Sequence, residues 1–361
     1  ISPILSGIAD HTGYKKLFMQ IFCYIGAISC ILLYTFDLDN FDLGMIYYFF
    51  AVVGFWGSLV FYNSYLPDIA NVDEQDITSA KGYSLGYLGS IILLIFCLFL
   101  TQFPEYFNIN DKTHAVKISF VLVGIWWLAF SQYSFYYLPG KNFYNVKKTN
   151  LYSTTTLFSG FNQLINVLNQ LKTNKNLKIF LLSFFIFTIP TQTIILLASY
   201  FGADLNEISW DSEETMQTGL IIAIIVIQIL AAVGAYLGAK ISNRFGNINT
   251  LIGINILWGI ICLFGFFVTT PIEFYYAAGF IGLGMGGIQS LSRSTFSKLI
   301  DVKYSTSYFS FYDVSQKLSI VIGTAIYATM DLYTGSIRLA ILLFSLLFIP
   351  SIYFLSKVSN D

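Results

Sequence analysis

Gly279-Phe-Ile-Gly282-Leu-Gly284-Met-Gly286-Gly287 runs directly into Gln289-Ser290-Leu-Ser292-Arg293-Ser294-Thr295. A few residues later Tyr308-Phe-Ser-Phe-Tyr312-Asp313-Val-Ser315-Gln316-Lys317 opens another apolar run. Each run has the length of a membrane-crossing helix, ~20 residues at ~1.5 Å each. Each also carries ionisable groups. A charge at bilayer depth is costly, so it pairs, faces a cavity or marks a pathway.

Composition decides between a soluble core and a membrane. The chain of 361 residues is 56% hydrophobic and only 11% charged, against about 25% charged in a soluble domain. That leaves too little polar surface to cover a globule in water. Apolar runs near the crossing length recur along the whole chain, so the expected class is an all-α, polytopic integral membrane protein in a lipid bilayer. The net charge of −1 implies no attraction to nucleic acid. Cys23, Cys30, Cys97 and Cys262 lie in apolar runs without metal-ligand spacing and read as small apolar fillers.

The chain opens on Ile1-Ser-Pro-Ile-Leu-Ser-Gly-Ile-Ala, which reads as the last turns of a helix. About ten complete spans follow, divided by one long polar segment. The expected organisation is an N-terminal helical half at 1–138, a central cytoplasmic linker at 139–176 and a C-terminal helical half at 177–361. The linker's middle, Phe158 to Leu171, is weakly amphipathic, and Pro190 is expected to break the first span of the second half. Assigned to alternate sides, most Lys and Arg residues gather with the Asp10–Lys16 loop. That side reads as cytoplasmic.

A short motif repeats between the halves. Gly7-Ile-Ala-Asp10-His-Thr-Gly13-Tyr-Lys15-Lys16 precedes one span, and Asn243-Arg244-Phe-Gly246 stands at the equivalent place after the linker. Gly permits a tight turn, Asp or Asn caps a helix end, and the basic groups hold the loop inside. Two pseudo-equivalent halves of membrane helices are a transporter architecture. The first copy resembles the major facilitator superfamily signature G-x-x-x-D-x-x-G-x-[RK]-[RK]. Gly7 stands three residues before Asp10 instead of four, and the second copy has Asn243 in place of Asp.

Within that superfamily the chain resembles the bacterial branch of the vacuole-effluxer family linked to yeast autophagy. Four stretches carry the likeness: Phe61-Tyr-Asn63-Ser-Tyr-Leu-Pro67-Asp68, Gly82-Tyr-Ser-Leu-Gly86-Tyr-Leu-Gly89, Gly286-Gly287-Ile-Gln289-Ser-Leu-Ser292-Arg293-Ser294 and Phe311-Tyr312-Asp313-Val-Ser315-Gln-Lys317. The resemblance implies a bundle of two six-helix halves, here lacking the first helix and most of the second. It also implies a bacterial plasma (inner) membrane. Eukaryotic members are associated with amino-acid export from vacuoles.

Depth along the spans picks out the site. Arg293 lies ~30 Å along the span that starts at Glu273, near its cytoplasmic end. Asp313 lies ~8 Å and Lys317 ~14 Å into the span from Tyr308. Arg293 either pairs with Asp313 or snorkels to the headgroups. Asp313 and Lys317 are four apart on one helix face. Lys317 is the candidate substrate contact, and Asp313 with Arg293 the candidate proton-coupling or charge network. Tyr62, Asn63, Gln192, Gln228 and Gln289 are further candidate cavity groups. The resemblance places Asn63, Gln192 and Gln289 on the cavity-lining first helix of a three-helix repeat. Gly7, Asp10, Gly13, Lys15, Lys16, Asn243, Arg244 and Gly246 form the expected cytoplasmic gating loops. Asp68 reads as a helix cap, and Gly82, Gly86 and Gly89 as close helix packing.

No HExxH, no GxSxG with a histidine at membrane depth and no second intramembrane Asp beside Asp313 is present, so the sequence argues against an enzyme. No cofactor or metal is expected. The expected function is secondary-active or facilitative transport of a small solute, coupled to a proton or cation or to none, by a monomer. The alternative is a receptor or scaffold that keeps the fold without transporting.

Overall fold

The computed structural model describes residues 2–140, 154–205 and 207–359, with side chains from 160 onward in the helix that begins at 154. Among the described residues all regular structure is helical. The helices are α1 (Ser2–Thr12), α2 (Lys15–Leu32), α3 (Phe41–Ser64), α4 (Leu66–Ile69), α5 (Gln75–Gln102), α6 (Lys112–Tyr137) and α7 (Thr154–Thr173). They continue with α8 (Lys175–Ala203), α9 (Glu213–Phe245), α10 (Asn247–Phe267), α11 (Pro271–Leu299), α12 (Ser305–Thr334) and α13 (Ile337–Leu355).

Eight of these helices, α2, α3, α5, α6, α8, α9, α10 and α13, are long and apolar enough to cross a membrane. The difference from the expected ten falls on α11 and α12. They have the length, 29 and 30 residues. Their glycines, hydroxyls and charged groups lower their apolarity.

Local chemistry explains the boundaries. α9 opens with a capping box between Ser212 and Thr215, and α11 with one between Thr270 and Glu273, followed by Pro271. Gly13 (φ 76°) and Gly246 (φ 81°) occupy the left-handed region between α1 and α2 and between α9 and α10. The two copies of the loop motif therefore share the same turn requirement. The first two turns of α5, from Gln75 to Lys81, are polar and precede its apolar run. α7 fills much of the segment read as a linker, and 141–153 of that segment lie outside the described residues. α8 runs unbroken through Pro190. In the turns around it the Thr191 and Thr193 hydroxyls donate to the Phe187 and Ile189 carbonyls, and Ser319 donates to the Phe185 carbonyl.

Proximity groups the chain into two compact units. The first holds Ile1–Ile69, Gly89–Asn169 and Asp301–Phe311, the second Ala70–Leu88, Gln170–Ile300 and Tyr312–Asp361. In the first, α2 packs on α3 and α6 around Met19, Phe22, Cys23, Phe61, Tyr65 and Phe135. Gly54 meets the backbone of Gly26, so these helices touch without side chains between them.

In the second unit α9 and α11 make the closest pair. A Cβ on Gly286 would stand 1.8 Å from the Ala231 carbonyl oxygen, and one on Gly282 would stand 2.5 Å from that of Ile227. The glycine run at 282–287 thus serves close helix packing. Gly286→Ala is expected to force α9 and α11 apart, and overpacking of this kind costs roughly 1–3 kcal/mol. Gly86 and Gly89 behave differently: a Cβ on either meets nothing within 4 Å. That corrects the expectation that they are packing glycines. Thermal unfolding should therefore separate Gly286→Ala from Gly86→Ala; equal melting temperatures would contradict the packing assignment.

Candidate functional site

The loop between α1 and α2 is built around Asp10. Its carboxylate is buried and accepts from two backbone N–H groups at the start of α12, Ser307 N at 2.7 Å and Thr306 N at 3.2 Å. The first turn of a helix leaves such groups without intrahelical partners and carries partial positive charge, so a carboxylate there satisfies both. Asp10 does not cap its own neighbour: α2 has Tyr14 at its N-cap and no side-chain cap. Burial pushes the Asp10 carboxyl up from its ordinary value of 3.8, opposed by bonds from Ser307 and Thr306 and by Lys15.

Lys15 is equally buried. Its ammonium donates to the Asp68 carboxylate at 2.6 Å, the Ser64 carbonyl at 2.8 Å and the Ser305 hydroxyl at 3.2 Å, and lies over the Tyr65 ring. Asp68, read from sequence as a cap, is thus the counter-ion of Lys15. Lys16 donates to the Leu138 carbonyl. Gly7 faces α7: a Cβ there would stand 2.3 Å from the Gly160 carbonyl oxygen. Its lack of a side chain lets the linker helix seat on α1.

The second copy of the loop lies in the other unit and meets the start of α5. Asp76 is buried there, paired with Lys298 at 2.6 Å and accepting from Asn247 Nδ2 at 2.8 Å and the Ser242 hydroxyl at 3.5 Å. Asn243 and Arg244 are exposed. The loop's contact runs instead through the residues flanking them. Polarity is exchanged between the copies: the first loop brings the acid to a helix start, while the second brings donors to an acid on a helix start. Asp76 lies in the polar first turn of α5 and was not among the candidate residues read from sequence.

Much of the polar stretch of α11 is engaged in the same unit, although the buried Ser292 hydroxyl has no hydrogen-bond partner among the described residues. Arg293 is buried, with Nε donating to the Ser79 hydroxyl at 2.9 Å and an Nη to the Ser79 carbonyl at 3.0 Å. Its guanidinium lies over the Tyr83 ring. One turn along, the Tyr87 hydroxyl donates to Gln289 Oε1 at 2.8 Å. On α12, Asp313 and Lys317 form an ion pair. Beside them Tyr312 is held between Phe184, 4.0 Å away between centroids, and Phe296 at 4.9 Å. Arg293 thus contacts α5, and Lys317 is the ion-pair partner of Asp313. Gln192 and Gln228 are half-buried, and Gln228 Oε1 has no hydrogen-bond partner among the described residues. Tyr62 and Asn63 belong to the first unit, where Tyr62 is exposed. Sequence reasoning missed Ser79, Tyr83 and Tyr87, although their i, i+4, i+8 spacing marks one helix face.

The family profile described as "Vacuole effluxer Atg22 like" matches residues 1–79 and 70–361. The uncharacterised MFS-type transporter YxiO of Bacillus subtilis is 28% identical over 100% of this chain and 81% of its own length. Autophagy-related protein 22 of Saccharomyces cerevisiae is 24% identical over 96% of this chain and 73% of its own. Among solved structures, the E. coli fucose:proton symporter FucP superposes with a TM-score of 0.73 at 16% identity, covering 99% of this chain and 87% of that one. The human organic anion transporter MFSD10 gives 0.71 at 10%, covering 98% and 80%. With the profile spanning the whole chain and the helices matching this fold, the protein belongs to the Atg22-like vacuole effluxer family and is a multi-pass membrane transporter of the major facilitator fold.

Proposed function

We propose that the protein moves a small solute by alternating access between the halves 1–138 and 177–361, with ten crossings that include α11 and α12. One observation carries the reading. The two helices of 29 and 30 residues that fall short of membrane apolarity are those bearing Gln289, Arg293, Asp313 and Lys317. Polar groups held in a membrane bundle at such cost mark a solute path. In this reading Lys317 meets an anionic part of the solute, and Asp313 is its counter-ion and the candidate proton carrier. Gln289 and Asn63 line the path. The Asp10 and Asp76 contacts hold the Lys-rich, cytoplasmic side shut. The membrane is the bacterial plasma membrane, a placement supported by the Bacillus relative, and amino acids are the first solutes to test.

The test is counterflow of labelled amino acids in proteoliposomes, with and without a proton gradient. Lys317→Gln should reduce uptake of any transported solute at least tenfold, while Lys317→Arg, which keeps a charge beside Asp313, should retain the parent's thermal unfolding. Uptake by Lys317→Gln equal to the parent's would remove Lys317 from the path.

A further inference from the structure

We propose that the first turn of α12 is an oxyanion site, filled by the tethered Asp10 carboxylate in the present arrangement and open to a phosphate or sulfate group once that carboxylate withdraws. The withdrawal rests on the gating role given to Asp10 above. All the groups concerned lie in the first unit. The site already holds an anion. Asp10 accepts from the backbone N–H groups of Thr306 and Ser307, which a helix start leaves without intrahelical partners and endows with partial positive charge.

The carboxylate leaves donors over. The Thr306 and Ser307 hydroxyls are buried, each residue at 0% exposure, and neither has a hydrogen-bond partner among the described residues. Both lie beside the carboxylate, where they oppose the rise in its pKa that burial causes, yet neither reaches hydrogen-bond geometry. Buried polar groups are nearly always paired, so two orphans in one turn call for an acceptor that Asp10 does not supply. The charges around them are already answered. Lys15, whose ammonium donates to the Ser305 hydroxyl at 3.2 Å, is paired with Asp68. Asp301 accepts from the Lys303 N–H at 3.0 Å. A carboxylate offers two oxygens in one plane. A phosphate offers three to the same turn, enough for both N–H groups and both hydroxyls. Chloride carries the charge without the directed oxygens, and a neutral solute lacks the charge that a helix start favours.

Thermal unfolding of the whole chain in dodecyl maltoside provides the test, with sodium phosphate against sodium chloride at equal ionic strength. Phosphate strengthens burial in any protein, so the quantity read is the rise in Asp10→Ala beyond that in the parent. That rise is expected to be about twice the parent's or more, and to fall to the parent's in Asp10→Ala/Thr306→Val/Ser307→Ala. With Asp10 intact, Thr306→Val/Ser307→Ala should melt no lower than the parent, because the hydroxyls bond nothing there. Phosphatidylglycerol added at constant chloride separates the sources: stabilisation of Asp10→Ala by the lipid alone assigns a phospholipid headgroup, and by phosphate alone a free anion. No excess from either, or an equal excess without the two hydroxyls, would overturn the proposal. In the parent carrying Asn63→Cys, labelled from the Lys-rich side, phosphate at ten times the Kd found for Asp10→Ala should raise the open-to-shut ratio about elevenfold. Labelling that stays unmoved while Asp10→Ala responds would overturn the gating role and leave the site standing. If Asp10→Ala fails to fold, a phosphate titration of the same labelling decides, and a titration unchanged by removing the two hydroxyls overturns the site.

Discussion

Asp10→Ala is expected to raise the population open on the Lys-rich side about tenfold or more. The substitution removes both oxygens that accept from Thr306 and Ser307. A buried N–H left without an acceptor costs roughly 1–3 kcal/mol, and ~1.4 kcal/mol is a factor of ten. In the gating role proposed above, opening hydrates the two donors, so the loss is felt in the shut arrangement alone and the equilibrium shifts. Asp10→Asn keeps one acceptor oxygen and should shift it less. Labelling of Asn63→Cys from the Lys-rich side, with the native cysteines replaced, reads the population; unchanged rates in Asp10→Ala would reduce Asp10 to a local role. The pH dependence has a definite sign. The carboxyl is raised above 3.8 when buried, so proton uptake accompanies burial. The shut arrangement should gain as pH falls towards that value and lose as pH rises through the raised one. Asp10→Asn should lack this dependence.

Lys15→Met is expected to destabilise the fold by roughly 3–5 kcal/mol, the usual penalty for removing one member of a buried ion pair. The ammonium is 2% exposed and serves Asp68, Ser64 and Ser305 together. Its loss strands a carboxylate that is itself only 11% exposed. Removing the second charge as well, in Lys15→Met/Asp68→Met, should recover much of the loss, because a buried pair is often replaceable by apolar groups of similar volume. Thermal unfolding in detergent distinguishes the cases. A double variant that melts no higher than the single one would mean that Asp68 is not the group left stranded.

The class and the helices were legible because apolar length is a one-dimensional property. So was the turn chemistry: Gly13 and Gly246 were identified by their place in a repeated motif, and both adopt positive φ. Tertiary partners were less legible. Asp68 has the local signature of a cap, yet its partner lies 53 positions away. Arg293 and Asp313 stand at similar depth, but depth does not fix azimuth, and Arg293 turns to Ser79 while Asp313 turns to Lys317. Asp76 was hidden because the polar first turns of α5 lower the local apolarity that marks a span. Gly86 shows the converse: spacing of glycines on one face says that contact is possible, and the opposing surface has to be present for it to occur.

Tyr312 sets a tempo for the groups beside it. Its ring is clamped between Phe184 of α8 and Phe296 of α11. Turning α12 about its axis to re-aim Asp313 and Lys317 therefore requires rings from two other helices to part. Side-chain reorientation alone runs in picoseconds to nanoseconds, whereas helix and domain rearrangements take microseconds to milliseconds. The charge pair is bound to the slower clock, so a fluorinated tyrosine at position 312 should show exchange broadening on the time base of turnover.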